Sequence, residues 1–187
     1  MSSLNIIMSA CAELGDVDRA FSTWDDFKTF KIEPNVDTYS FLLESLSCSL
    51  GDLKKNNSQR KKDVPGCLDA AYAILTLMEE NGVPLCQHCI DNYAQLLCNA
   101  GRLDAATEFL VDSIEKGEAV GNKTIIVLAK NNAEAGNFDV ARLLASKTTE
   151  HFCHLDYKLN EIEKTMLAAY GADAHGKDES ESPPEGT

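Results

Sequence analysis

The sequence predicts an all-α fold, namely a right-handed α-solenoid of about four helix-turn-helix repeats followed by a C-terminal capping helix. The first observation is a motif, Gly-x-apolar-Asp-x-Ala, that occurs at Gly15, Gly66, Gly101 and Gly136. The second is its spacing, because successive glycines are 51, 35 and 35 residues apart. The third is that apolar residues at helical spacing flank each copy. A period of this length is typical of stacked helical units.

The first repeat, predicted over residues 1–35, shows how each unit is built. Its first helix carries an apolar stripe and ends at Gly15, which can adopt the left-handed conformation that terminates helices. Asp16 or Asp18 can then cap or charge the start of the second helix, and Pro34 ends the repeat. The predicted apolar positions are Leu4, Ile7, Met8, Cys11 and Leu14 on the first helix and Val17, Ala20, Phe21, Trp24 and Phe27 on the second.

Three further repeats are predicted over residues 36–85, 86–121 and 122–150. The second contains 16 extra residues, which we interpret as a surface loop inserted at residues 51–65. Residues 151–170 are predicted to form the capping helix, and the polar, acidic residues 171–187 are predicted to be disordered. The predicted core positions are Tyr39, Leu42, Leu43, Leu46, Leu68, Ala71, Leu75 and Met78, then Tyr93, Leu96, Leu97, Leu103, Ala106, Phe109 and Leu110, then Ile125, Leu128, Ala129, Phe138, Ala141, Leu144 and Ala145.

The composition is that of a globular protein, with 44% hydrophobic residues, but the net charge is −13. Such acidity is unfavourable for a nucleic-acid-binding protein, because contacts to phosphate require Lys and Arg. The seven cysteines, an odd number, favour reduced thiols over a secreted disulfide framework. No apolar run approaches the roughly 20 residues of a membrane span, so we expect no membrane partner. No secretory or organellar leader is recognisable, so we expect a fragment or a processed form.

The repeats resemble pentatricopeptide repeats, a helical-repeat family associated with organellar RNA, over about residues 1–150. In the first repeat Asn5, Gly15, Ala20 and Pro34-Asn35 stand where the family has its Asn, Gly, Ala and Pro-Asp. Tetratricopeptide repeats share the Gly and Ala spacing but lack the 35-residue period. The resemblance implies an RNA-associated protein of a plant-type organelle, with the mitochondrion as the expected location and the chloroplast as the alternative.

The resemblance also implies which residues read RNA, because each repeat of that family reads about one base. One reading side chain lies on the first helix of a repeat and the other lies at its end. In the first repeat these are Asn5 and Asn35, a pair that resembles those favouring pyrimidines. The second repeat gives Ser40 with Leu85, whose apolar side chain cannot hydrogen-bond a base edge.

The third and fourth repeats match this pattern less well. Counting back from Gly101 makes Asp91 the reading residue of the third repeat, whereas counting forward from Pro84 gives Ile90. The fourth repeat gives Ile126, which cannot hydrogen-bond a base. The base-reading candidates are therefore Asn5, Asn35, Ser40 and Asp91.

Contacts to phosphate are expected from the inserted loop and from the second position of the fourth repeat. The loop holds five basic residues, and mobile Lys and Arg clusters bind RNA without reading its sequence. A solvated surface loop and a nuclear localisation signal are the alternative interpretations. Asp37, at the second position of its repeat, would repel the RNA backbone. The phosphate-contact candidates are Lys54, Lys55, Arg60, Lys61, Lys62 and Lys123.

We expect no catalytic site, metal or cofactor in this chain. Cys86-Gln87-His88-Cys89 could bind zinc together with His151, Cys153 and His154. The two clusters lie about two repeats apart, however, so packed or half-exposed thiols at the start of a helix are the preferred interpretation. No His is followed two residues later by Glu, as zinc deaminases require. Glycine-rich phosphate loops and serine-hydrolase motifs are also absent from the sequence.

Two functional hypotheses follow. The first is a non-catalytic, RNA-binding or RNA-particle-associated protein in organellar RNA processing, stability or translation, including association with the mitochondrial ribosome. The second is a protein interaction scaffold with degenerate repeats and no sequence-specific RNA reading. The expected partners are accordingly single-stranded RNA, a protein or a ribonucleoprotein assembly, with no small-molecule substrate.

Overall fold

The computed structural model describes residues 3–148 apart from 56–63, and in addition residues 160 and 164; of residues 52–55 it describes the backbone alone. All regular structure in this part of the chain is α-helical, which confirms the predicted fold class. The helices there are α1 (Ser3–Leu14), α2 (Val17–Thr29), α3 (Val36–Lys55), α4 (Val64–Glu80), α5 (Gln87–Asn99), α6 (Leu103–Glu115), α7 (Asn122–Glu134) and α8 (Phe138–Ser146).

Consecutive repeats stack through their first helices within residues 1–128, which form one compact unit. Helix α1 packs on α3, and α3 packs on α5. The second helices α2 and α4 each contact the first helix of their own repeat and that of the next, while α6 packs on α5. Residues 129–187 form another compact unit, in which Ala133, Ala141, Leu144 and Ala145 are buried.

The core of the first unit is centred on α3, whose Tyr39, Leu42, Leu43 and Leu46 are buried as predicted. Burying each Leu contributes about 2 kcal/mol from the removal of apolar surface from water. The predicted stripe on α1 is partly wrong, because Ile7 and Leu14 are 36% and 77% exposed. The buried face of α1 is instead formed by Asn5, Met8, Cys11 and Ala12. Burial of the polar Asn5 is compensated because its amide is hydrogen-bonded.

The repeated glycine motif marks a turn between helices in three of its four copies. Gly15, Gly101 and Gly136 have φ values of 62°, 76° and 86°, in the left-handed region that glycine tolerates best. Gly66 differs because it lies inside α4, which begins two residues earlier at Val64. Asp16 caps α2 as predicted, since its side chain accepts a hydrogen bond from Arg19 N at 3.1 Å.

The loop predicted at residues 51–65 of the second repeat is too long, because part of this segment is helical. Helix α3 continues through Lys55 and α4 begins at Val64, so both ends of the predicted loop are helical. Pro65 fits this position because proline lacks an N–H that the first helical turn leaves without a partner. Residues 56–63, with Arg60, Lys61 and Lys62, lie outside the described residues.

The predicted capping helix at residues 151–170 is described only at Asn160 and Lys164, both of which are helical. The predicted disordered tail at residues 171–187 lies outside the described residues. Arg142 Nη2 on α8 donates a hydrogen bond to Asn160 Oδ1 at 3.3 Å.

Candidate nucleic-acid interface

The site begins with the local structure at the start of α3, which Asn35 caps. Asn35 Oδ1 accepts a hydrogen bond from the backbone N–H of Thr38 at 3.1 Å. The backbone N–H of Asn35 in turn donates to Thr38 Oγ1 at 3.1 Å. This reciprocal pair is a capping box, which satisfies two N–H groups at a helix start and holds both side chains in one orientation.

Asn5 of α1 joins this capping box from the neighbouring helix. Its Nδ2 donates a hydrogen bond to Asn35 Oδ1 at 3.0 Å, and its Oδ1 accepts one from the Thr38 hydroxyl at 2.8 Å. Asn5 is 3% exposed and Thr38 is fully buried. The structure therefore brings the two predicted base-reading residues of the first repeat into direct contact, with Thr38 between them.

The two asparagines differ in what they offer to a ligand. Asn35 is exposed, and its Nδ2 lies 3.3 Å from the Asp37 carboxylate, to which it donates. Asn5 is recessed behind it and its amide is already hydrogen-bonded. A base at this joint would thus meet the amide of Asn35 first, and Asn5 would act on that amide from behind.

The third repeat has the same arrangement with different residues. Asp91 Oδ1 accepts a hydrogen bond from the backbone N–H of Gly121 at 3.0 Å, and Gly121 directly precedes α7. As with Asn5 and Asn35, the two partners are 30 residues apart. The structure supports Asp91 as the equivalent of Asn5, in place of Ile90, which is fully buried.

The close contact between Asp91 and Gly121 explains why this repeat ends in glycine. A Cβ added to Gly121 would collide with the Asp91 carboxylate. Without a side chain at Gly121, the third joint has one candidate reading group instead of two. That group is an acceptor only, because it is a carboxylate.

The second joint consists of Ser40 and the start of α5. Ser40 is only 7% exposed, and its hydroxyl hydrogen-bonds the Cys89 thiol. Helix α5 begins at Gln87 with Cys86 as its N-terminal cap residue, so Cys86 holds the position that Asn35 holds in the first repeat. Leu85, the partner predicted for Ser40, lies one residue too early.

Burial raises the pKa of the Cys89 thiol to about 12, with further contributions from the hydrogen bond and the negative charge of Cys86. The hydrogen bond from Ser40 acts in the opposite direction, because it stabilises the thiolate. Cys86 and Cys89 are packed thiols at the start of a helix, as predicted. The fourth joint candidate, Ile126, is half-buried on α7.

The predicted phosphate contacts are described in part. Lys123 is exposed in the first turn of α7. Lys54 and Lys55 are the last two residues of α3, and their side chains lie outside the described residues, as do Arg60, Lys61 and Lys62. Next to the joints the structure describes the acidic side chains of Asp37 and Asp91.

Sequence reasoning missed Thr38, which links the two asparagines. The spacing Asn35-x-x-Thr38 before an apolar run was the available signal, because a hydroxyl at the third helical position can complete a capping box. The role of Gly121 was also missed, since the loss of a side chain leaves no motif to find.

Other kinds of site have less support in the described residues. No group of three or more His, Cys, Asp or Glu side chains there could hold a metal ion. His151, Cys153 and His154 lie outside that part of the chain. Across the same residues, no helix combines the length and the apolarity needed to cross a membrane.

The chain is similar to known proteins of one family. The model of the PPR repeat family matches residues 1–48. The crystal structure of the pentatricopeptide repeat protein PPR10 from maize aligns with a TM-score of 0.63 at 17% sequence identity, over 90% of this chain and 24% of that one. The chain thus spans about a quarter of PPR10. At this identity the likeness shows a shared fold.

A second solved structure is the PPR domain of Arabidopsis thaliana protein-only RNase P 1 in complex with tRNA. It aligns with a TM-score of 0.44 at 13% identity, over 82% of this chain and 95% of that domain. A search of curated protein sequences gives no significant match. Residues 1–48 therefore match the PPR repeat family, and the chain shares the helical-repeat fold of PPR10.

Proposed function

We propose that this chain is a non-catalytic module that binds single-stranded RNA in organellar RNA metabolism or translation, in mitochondria or alternatively in chloroplasts. The base contact that we assign to it is a pyrimidine at the joint of Asn5 and Asn35. The observation that carries the proposal is the 3.0 Å hydrogen bond between these two side chains, because base reading needs both groups at one place.

The joint suits a base because it presents an ordered amide at the surface. Asn35 Oδ1 already accepts hydrogen bonds from Asn5 and Thr38, so the group that faces a base is the amide donor Nδ2. Thr38 and Asn5 hold the Asn35 side chain through hydrogen bonds from 2.9 to 3.1 Å. Because the side chain is already ordered, less rotational entropy is lost when a base binds.

Charge sets the expected character of binding. The net charge of −13 and the carboxylate of Asp37 oppose a tight grip on the RNA backbone. We therefore expect weak affinity with a shallow dependence on salt, since few phosphates are neutralised. About four repeats contact about four bases, so the natural setting is a longer array or a ribonucleoprotein particle.

The test is fluorescence anisotropy with labelled pyrimidine and purine homopolymers at about 50 and 200 mM salt. The variant is Asn35→Asp, because Asp caps a helix about as well as Asn but lacks the amide donor. We expect the wild type to prefer pyrimidines and the variant to lose that preference. Circular dichroism would check that α3 still folds.

The matched control is Asn137→Asp, which makes the same change at the cap position of α8, outside the proposed site. It adds the same negative charge, so a general electrostatic effect would appear in both variants. Absence of binding at the lower salt concentration would overturn RNA binding. A base preference that survives Asn35→Asp would overturn reading at this joint.

A protein partner is the second candidate, favoured by a partly apolar groove between α2 and α4 whose lining also includes Lys28, Lys31 and Glu33. The groove has a volume of about 740 Å³, and its lining includes Trp24, Phe27, Ile32, Leu77 and Val83. If the chain is a scaffold, Leu77→Lys should release it from its assembly during gradient sedimentation, whereas Asn35→Asp should not. The opposite pattern would contradict the scaffold.

A further inference from the structure

The cysteines of the Cys86-x-x-Cys89 motif are in direct contact. Their Sγ atoms lie 3.4 Å apart. Cys86 is partly exposed and immediately precedes α5, whereas Cys89 is fully buried in the first turn of that helix. Nothing in the proposed RNA contact uses these thiols.

We propose that Cys86 and Cys89 form a reversible redox site that a low-molecular-weight disulfide, such as oxidised glutathione, converts to an intramolecular disulfide. Cys86 is the thiol that reacts first, and Cys89 is the thiol that resolves the intermediate. The proposal does not depend on RNA binding.

The backbone favours this bond. Cys86 has φ −98° and ψ 164°, an extended conformation, and its side chain makes no capping hydrogen bond to α5. Residues three apart at a helix start lie on the same side of the helix. A disulfide needs the sulfur atoms about 2.05 Å apart, so the 3.4 Å gap can close by small side-chain rotations.

The order of the two steps follows from exposure. Cys86 can be reached from solvent because it is partly exposed and immediately precedes α5. Its thiolate attacks one sulfur of the external disulfide, forms a mixed disulfide and releases one low-molecular-weight thiolate. Cys89 is shielded from this first attack because it is fully buried.

The second step completes the exchange. Cys89 gives up its proton to solvent, and its sulfur attacks Cys86 Sγ, which forms the protein disulfide and releases the second low-molecular-weight thiolate. Two protein thiols are thus oxidised while one external disulfide is reduced to two thiols. The mixed disulfide favours this step, because it removes the negative charge of Cys86, which helps to hold the Cys89 pKa at about 12.

The reaction would act on the joint between the second and third repeats. Cys89 hydrogen-bonds Ser40 of α3, and α3 packs on α5. Oxidation changes the sulfur that Ser40 contacts from a thiol to a disulfide and ties the residue before α5 to its first turn. The redox state would therefore change the surface of this joint without changing the fold.

The test is intact-protein mass spectrometry after incubation with oxidised glutathione and alkylation of the remaining thiols. In the wild type we expect a product that carries two alkyl groups fewer than the fully reduced protein. The bond should map to the peptide of Cys86 and Cys89 and be reversed by dithiothreitol. Cys89→Ala should stop at the glutathione adduct on Cys86. Cys86→Ala should give neither product at this motif.

The matched control is Cys48→Ala, which removes a partly exposed thiol of α3 outside the motif and should leave the Cys86–Cys89 product unchanged. A second measurement compares the rate of disulfide formation in buffer and in urea, where the contact is lost. We expect the folded protein to react at least tenfold faster. Equal rates, or a wild type that stops at the glutathione adduct, would overturn the proposal.

Discussion

Asn5 Nδ2 donates a hydrogen bond to Asn35 Oδ1 over 3.0 Å. The bond links the first helix of one repeat to the residue that immediately precedes the first helix of the next repeat. The bond lies beside the Thr38 hydroxyl, which donates to Asn5 Oδ1 at 2.8 Å. The same atoms therefore cap α3, connect α1 to α3 and present an amide at the surface. Stability and recognition at this joint can be separated only by variants that change one of these contacts at a time.

Thr38→Val should destabilise the fold while preserving side-chain shape. The change removes the hydroxyl that both Asn5 Oδ1 and the Asn35 N–H use, and buried groups deprived of a hydrogen bond cost about 1–3 kcal/mol. Urea unfolding would measure the loss. Thr23→Val is the control, because the buried Thr23 hydroxyl donates to the carbonyl of Arg19 within its own helix. If Thr23→Val lost as much unfolding free energy as Thr38→Val, the importance of this joint would be contradicted.

Gly121→Ala should destabilise the third joint through a collision with Asp91. The expected loss of unfolding free energy is about 1–3 kcal/mol, the usual cost of overpacking. Asp91→Ala alone should also be unfavourable, because it removes the acceptor of the Gly121 N–H. The double variant should lose less than the sum of the two, since the clash disappears with the carboxylate. Strict additivity would show that the contact does not exist in solution.

The close approach of the first turn to α3 predicts a difference between two similar glycines. Gly15→Ala and Gly101→Ala both place an alanine at positive φ, which costs about 1 kcal/mol. A Cβ on Gly15 would also lie 3.0 Å from Ser49 N, whereas one on Gly101 would meet nothing within 4 Å. Thermal unfolding should therefore show the larger loss for Gly15→Ala. Equal losses would argue against tight packing of this turn on α3.

The Cys89 thiol predicts an alkaline loss of stability in the reduced protein. Its pKa is about 12 in the folded chain and 9.0 in its ordinary state, so above pH 9 the unfolded chain releases this proton first. Its contribution to stability is complete below pH 9, falls as pH rises and is lost by about pH 12. Between these pH values the unfolding free energy of the wild type should fall more steeply with pH than that of Cys89→Ala. The difference in slope should reach at most about 1.4 kcal/mol per pH unit.

Urea unfolding at several alkaline pH values, with a reductant present, would measure this difference. The comparison with Cys89→Ala cancels the titration of lysines and tyrosines that both proteins share. Parallel curves for the two proteins would contradict a raised pKa at Cys89.

Much of the architecture could be predicted because it depends on local patterns. The apolar spacing on α3 and the capping Asp16 act within a few residues, and both predictions are confirmed. Gly66 could not be placed in the same way. The start of α4 at Val64 depends on the inserted segment, which shifts the helix boundary past a motif that elsewhere marks a turn.

The candidate site was harder to predict because it depends on the rotation of α1 against α3. Counting along the repeats selected Asn5 and Asn35, whose side chains are in contact, but periodicity placed Ile7 and Leu14 on the buried face. In the structure that face holds Asn5, whose burial is compensated by partners 30 and 33 residues away. The register of the third repeat was likewise decided by a distant contact, that of Asp91 with Gly121.

The contact of Asp91 with Gly121 has a consequence for how such repeats change in evolution. Because a side chain at Gly121 would meet the Asp91 carboxylate, a substitution at Gly121 requires that carboxylate to move. Asp91 must first become smaller or turn away, at the cost of the hydrogen bond that it now accepts. At the third joint, a side chain at Gly121 and the hydrogen bond from its N–H to Asp91 are therefore alternatives, and evolution can keep one only at the expense of the other.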